Sequence, residues 1–178
     1  PDVWFARDTD GDGKADWKER IVMGLDSADS HHTANAMAYG PGGDTFLSDG
    51  VFHRTQIETA YGPPVRNSDG CIYRLEPLTG KLERYIPYGF ANPHGKVFDR
   101  WGNDIITDAT GNANYFGPAF SGMIDAPAKH GRLQEFWKRP SRPCPGTGMV
   151  SSRHFPDDWQ GNFLNANVIG FQGIFRVK

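Results

Sequence analysis

Residues 42–50 read GGDTFLSDG, and the same pattern returns as WGNDIITDA at 101–109 and QGNFLNANV at 160–168. Each stretch leaves a glycine-containing turn, carries an apolar pair and then turns polar. The pairs are Phe46-Leu47, Ile105-Ile106 and Phe163-Leu164, so the spacings are 59 and 58 residues. A fixed period of this kind in a glycine-rich chain marks a repeat architecture, in which one small unit stacks on the next. Within the period lie hairpin patterns. GCIYRLEPLTGKLERYIPYG at 70–89 reads as a strand with Cys71, Tyr73 and Leu75 on one face, a Pro-Leu-Thr-Gly turn, and a returning strand from Lys81 to Tyr88. GRLQEFWKRP at 131–140 reads as the outer strand of the next unit.

Four short antiparallel strands per unit, repeated in line, is the anatomy of a propeller blade. The expected fold is therefore all-β: a β-propeller, present as an incomplete arc of roughly three to four four-stranded blades. Residues 1–25 would end one blade, 26–89 and 90–140 would form two more, and 141–178 would begin another, the remaining blades of the parent chain closing the ring. A compact β-sandwich is the alternative, and the repeat spacing disfavours it. The period exceeds the ~40–50 residues of the commonest blades, so the loops must be long, and long propeller loops build binding faces.

Composition agrees with this class. The 178 residues include 22 Gly and 13 Pro, 13% are aromatic, and no long segment has helical periodicity. A net charge of -2 without any Lys/Arg run argues against nucleic acid or an anionic membrane surface as partner. No apolar stretch approaches the ~20 residues of a membrane span. Cys71 and Cys144 lie 73 positions apart, too far for a CxxC motif; a disulfide and two separately buried thiols are both open. Trp4, Trp17, Trp101, Trp137 and Trp159 are expected to pack between blades.

DTDGDGKADWKE, residues 8–19, crowds five carboxylates into twelve positions. Such crowding raises mutual repulsion unless a cation lies among them. On the calcium-loop template Asp8, Asp10 and Asp12 take positions 1, 3 and 5, Gly13 the sharp turn, the Lys14 carbonyl position 7, Asp16 position 9 and Glu19 position 12. The flanking VWFAR and RIVMGL are strand-like rather than helical, so the expectation is a β-hairpin closed by structural calcium. Calcium is abundant outside the cytosol, which points to an exported, periplasmic or envelope-associated protein.

Polar residues gather just before the strand patterns: His31 and His32, then Asn92 and His94, then Arg153 and His154. If these positions begin innermost strands, three blades direct polar groups at one channel mouth. His31, His32, His94 and His154 could instead form a metal site, although their spacing carries no ligand signature beyond the adjacent pair.

These stretches resemble a known family. The segment from His32 to Pro41, running on into TFLSDG, and GFANPHGKVF at 89–98 are similar to segments of soluble quinoprotein glucose and sorbosone dehydrogenases. The acidic loop, YGPPVR, YGFANPHG, RPCPGTG and SSRHFP together resemble the bacterial family called "putative membrane-bound dehydrogenases" across essentially the whole chain. The resemblance implies that His32 is a general base taking a proton from a sugar or alcohol hydroxyl while hydride passes to pyrroloquinoline quinone (PQQ). It implies that Asn92 contacts the cofactor and that carbonyls near Thr110 and Gly111 hold a second calcium. His94, Arg153 and His154 join the cofactor-side candidates. The position of the family's cofactor-clamping arginine holds Ala91, with Arg153 or Arg54 as substitutes. A cytochrome domain with c-type haem, absent from this stretch, would accept the electrons. The alternative is a calcium-stabilised propeller that binds a glycan or protein partner and performs no chemistry.

Overall fold

The computed structural model describes residues 1–34, 36–59, 62–109, 113–118, 121–122, 131–138, 140–141 and 146–178. A hairpin comes first, β1 (Val3–Arg7) with β2 (Trp17–Val22). A four-stranded antiparallel sheet follows in the order β3 (Ala36–Tyr39), β4 (Thr45–Asp49), β7 (Cys71–Glu76), β8 (Lys81–Pro87). Between β4 and β7 the chain makes a separate hairpin, β5 (Arg54–Ile57) with β6 (Val65–Ser68). The second four-stranded sheet is a meander of β9 (Gly95–Phe98), β10 (Asp104–Asp108), β11 (Ala113–Phe116) and β12 (Glu135–Trp137). Three strands form the last sheet, β13 (Thr147–Met149), β14 (Phe163–Asn167) and β15 (Gly173–Val177). Among the described residues the only helical element is one 3-10 turn, Asp157–Trp159.

The first strand of each sheet neighbours the first strand of the next: β9 lies against β3 on one side and β13 on the other. This radial stacking through innermost strands is the propeller arrangement expected from the repeat. The approach is tight. A Cβ on Gly95 would come within 2.6 Å of the Thr147 Cγ2, so the residue opening β9 must be glycine for β13 to sit where it does.

Because sheets stack face to face, the middle strands are buried on both sides. Along β7, Cys71, Tyr73 and Leu75 enter a core with Val22, Leu25, Leu47, Ile57 and Leu82, whereas the intervening Ile72 enters a second core. That second core joins blades, setting Phe46, Ile86 and Phe90 against Ile106, Ala113, Tyr115 and Leu133. Burial of this kind is worth about 1.5–3 kcal/mol per large apolar side chain. Aromatic edges continue the packing to the last sheet, with Phe136–Phe163 and Trp137–Phe175 centroids 5.2 and 5.5 Å apart.

Not every tryptophan packs as expected. Trp137 lies between sheets and Trp159 stacks on Phe155, but Trp4, Trp17 and Trp101 are 56%, 44% and 76% exposed. Trp4 and Trp17 belong to the outer surface of the β1–β2 hairpin, and Trp101 tips the β9–β10 turn under the Arg100 guanidinium. Cys71 is buried, and Cys144 lies outside the described residues.

One ion pair sits inside the interblade core. Lys96 of β9 reaches Asp104 of β10, both side chains nearly inaccessible, while its Nζ lies 4.5 and 4.1 Å from the ring centroids of Phe46 and Phe98. Burial pushes the Lys96 ammonium down to about 8 against the pull of Asp104, and burial, helped by Asp104, lifts Tyr85 to about 12. Lys96→Met should therefore destabilise the protein by about 3–5 kcal/mol in denaturant unfolding, because it strands the Asp104 carboxylate. Lys96→Met combined with Asp104→Leu should recover most of that loss. Equal destabilisation of the single and double variants would contradict this role.

Candidate functional site

Two loops, each leading into an innermost strand, meet at one end of the arc. The first spans Asp26 to Thr33, ahead of β3. Its path is fixed by side chains that replace regular structure as hydrogen-bond partners. The Asp26 carboxylate accepts the N–H of Arg54 at 2.6 Å and of Ala28 at 2.9 Å, and the Thr33 hydroxyl donates to the Asp26 carbonyl at 3.0 Å. The Arg54 amide chiefly, with those of Ala28 and Ser27, holds the Asp26 carboxyl below its usual range.

The second loop spans Ala91 to His94, ahead of β9. Asp108, the last residue of β10, accepts the N–H groups of Ala91 and Asn92 at 2.8 and 3.0 Å. The Asn92 carbonyl accepts from His94 and Ala109. The loops are also joined to each other through the segment after β4: Gly50 N–H donates to the His32 carbonyl and Val51 N–H to the Ala91 carbonyl.

Three imidazoles converge here. His31 and His32 have centroids 4.8 Å apart, and His94 of the second loop lies 6.2 Å from His31. Asn92, 2% exposed, places its Nδ2 3.1 Å from His31 Nε2. Its Oδ1 is buried without a hydrogen-bond partner among the described residues. Asp29 Oδ2 lies 3.1 Å from His32 Nδ1, an arrangement that fixes the ring and engages Nδ1, so that a base function falls to Nε2. The His31 amide, then His32 itself, keep the Asp29 carboxyl below its usual range, so it is ionised when it faces His32. Burial, with His31 and His32 nearby, lowers His94, which is neutral at neutral pH.

Beneath the first loop lies a pair that sequence reading missed. His53 and Asp49 are wholly buried, with Nδ1 and Oδ1 2.5 Å apart. The other Asp49 oxygen accepts from Thr55 at 2.7 Å, and His53 Nε2 lies 2.9 Å from the Asp29 carbonyl. Burial pushes Asp49 up. At His53 burial opposes the charged form, but the bonds to Asp49 and Asp29 outweigh it and raise the imidazole above its ordinary value. Because the Asp29 carbonyl can only accept, Nε2 carries a proton when that bond is made. The signal was present: the repeat places an aspartate at the end of β4 and again at the end of β10, Asp49 and Asp108.

The expected third contribution does not arrive. Arg153 and His154 lie in the connection from β13 to β14, exposed, at the opposite end of the sheet from His32 and His94. In the first two blades that connection is a short turn, but in the last it is a long loop holding the 3-10 turn, so a fixed spacing back from β14 lands after β13 instead of before it. A shared four-histidine metal site is ruled out by the same placement. Thr110 and Gly111 lie outside the described residues.

The acidic loop occupies the tip of the β1–β2 hairpin. Asp8, Asp10 and Asp12 each bring a ligand oxygen within 4.8 Å of the others. Gly11 and Gly13 adopt φ of +81° and +86°, and their amides donate to Asp8, lowering its carboxyl below the usual range. The Lys14 amide donates to Asp12. Asp16 turns to Thr9, accepting its amide and hydroxyl. Glu19 does not join the group: it lies within β2, paired with Phe5, below the loop.

Comparison with known proteins bears on fold and family. A solved structure described as "the putative gluconolactonase in protein family" matches with a TM-score of 0.58 at 16% identity, covering 91% of this chain and 49% of that one. This chain therefore spans about half the length of that propeller-like neighbour, and the likeness concerns the fold. No curated protein matches. The model of a domain of unknown function, DUF7133, matches residues 1–139, and the chain belongs to that family.

Proposed function

We propose that the propeller acts on a sugar or related alcohol at the histidine mouth, with His32 as the base that withdraws a proton from a substrate hydroxyl. The observation that carries this is the His32–Asp29 contact at 3.1 Å beside His31, His94 and the unpartnered Asn92 oxygen. An imidazole oriented by a carboxylate is the usual form of a general base. Imidazole, carboxamide and carboxylate groups together suit a polyol, whose hydroxyls both donate and accept. The resemblance to sugar dehydrogenases and the neighbour's description as a gluconolactonase support the same substrate class.

The quinone that the resemblance implies fits these residues poorly. PQQ carries three carboxylates, which call for guanidinium partners. Ala91 stands at the clamp position, Arg153 lies at the far end of its sheet, and Arg54 gives its Nη1 to Ser68. Asp29 and Asp108 add negative charge where the cofactor would need positive. We therefore assign no PQQ contact to this part of the ring. The same observation favours a second reading, a propeller that binds a glycan without chemistry.

In the complete parent chain supplied with PQQ and calcium, where a quinone held by the remaining blades would take the hydride while His32 takes the hydroxyl proton, a panel of sugars should reduce an artificial electron acceptor. His32→Ala should lower kcat by about 10²-fold or more, as expected for loss of a general base. Unchanged turnover in that variant would remove His32 from the mechanism. Saturable sugar binding with no turnover under any condition, PQQ and calcium included, would establish the binding reading instead.

We further propose that the acidic loop holds calcium through Asp8, Asp10 and Asp12, pinning the β1–β2 hairpin, as suits an exported protein. Saturating calcium should raise the melting temperature relative to EGTA, by about 2.7 kcal/mol of stability at a hundredfold excess over Kd. Asp10→Asn with Asp12→Asn should abolish the difference. A melting temperature indifferent to chelation would show that the backbone amides alone hold the loop.

A further inference from the structure

We propose that His53, paired with Asp49, is a positioning residue that sets the orientation of His32 through Asp29. This rests on the reading of His32 as the base.

The connection is continuous. The Asp29 carbonyl accepts from His53 Nε2 at 2.9 Å and from the His32 amide at 3.2 Å, while the Asp29 carboxylate faces His32 Nδ1 and accepts the His31 amide at 2.9 Å. Asp29 is thus the residue on which both mouth histidines are hung, and His53 is what holds Asp29 from below. Loop residues placed by a buried anchor keep a base aligned, and misplacement of about 1 Å can cost 10²-fold in rate.

The chemistry of the anchor makes the hold depend on protons. Both ring nitrogens of His53 face acceptors, a carboxylate and a backbone carbonyl. With one proton between Nδ1 and Oδ1, Nε2–H donates to Asp29. Once the pair loses its proton, the remaining N–H satisfies Asp49, and a lone pair on Nε2 confronts the Asp29 carbonyl. Around the pair, the Asp26 carboxylate favours the protonated form, and the Thr55 and Tyr73 hydroxyls face Asp49. Around His32 stand Asp29, His31, the Phe52 ring at 5.6 Å, and His94 across His31. Since His53 is raised above its ordinary value, the ordered mouth is present at lower pH and is lost as pH rises through the titration of the pair. The buried pair would act as a latch that opens on the alkaline side.

The test uses the parent chain with ¹⁵N-labelled histidine, each variant first shown to be folded by its melting curve. In wild type, His32 should be fixed as the Nδ1–H tautomer, and kcat should fall on the alkaline side. His53→Gln keeps a donor for Asp29 without titrating, so it should keep the tautomer and lose the alkaline limb. His53→Met with Asp49→Leu should release the tautomer and lower kcat by about 10- to 100-fold with KM little changed. An unchanged His32 tautomer in the double variant, or an unchanged alkaline limb in His53→Gln, overturns the proposal; should the double variant fail to fold, the Gln variant decides alone. If wild type shows no turnover, or His32→Ala leaves turnover unchanged, the base reading has failed, while the tautomer signal still decides whether His53 orients His32.

Discussion

Aspartates buried at the ends of central strands organise the mouth. Asp49 closes β4 and Asp108 closes β10, 0% and 2% exposed. An ionised carboxylate in that position must be met by donors, and the donors nearest to hand are those of the loop that enters an innermost strand. Asp108 meets the amides of Ala91 and Asn92 directly, and Asp49 meets His53, which in turn holds Asp29. The same solution, a carboxylate reaching for a strand entrance, thus appears in direct form in one blade and through an imidazole in the other. It fixes non-repetitive backbone without regular secondary structure, and it puts polar side chains where two sheets face a common opening.

The fold was legible because blade packing leaves a record in spacing. Phe46 and Leu47 form an adjacent apolar pair because the two residues enter different cores, and Ile105-Ile106, both buried, repeat the pair one period on; only a strand buried on both faces carries such pairs at a fixed period. What the spacing could not show was where loops lengthen. The β5–β6 hairpin inserted between β4 and β7 carries little strand pattern, since Arg54, Gln56, Arg66 and Ser68 face solvent and its apolar residues are few. The long β13–β14 connection moved Arg153 and His154 to the far end of the sheet for the same reason.

The site was legible in part. Histidines at strand entrances stood out as residue types, and His31, His32, His94 and Asn92 do meet. Their supporting residues did not stand out, because Asp29, Asp49, His53 and Asp108 look like ordinary turn chemistry until burial and distance are known. Lys96 and Asp104 were missed likewise: eight residues apart on paired strands, they read as exposed charges, and the interblade core encloses them. In the acidic loop the template matched residue types at every ligand position, but Glu19 follows the strand that begins at Trp17, because β-hairpin flanks carry the chain away where a helix would fold it back.

The central claim is that a polyol enters between the two loops at His31, His32 and His94. Histidine-resolved NMR of the complete parent chain, titrated with glucose and with sorbose, addresses it most directly. Saturable changes at those three imidazoles, with His154 unaffected at the other end of its sheet, are the expected result. Changes confined to His154, or none at the three mouth histidines with any polyol, would contradict the assignment of the mouth.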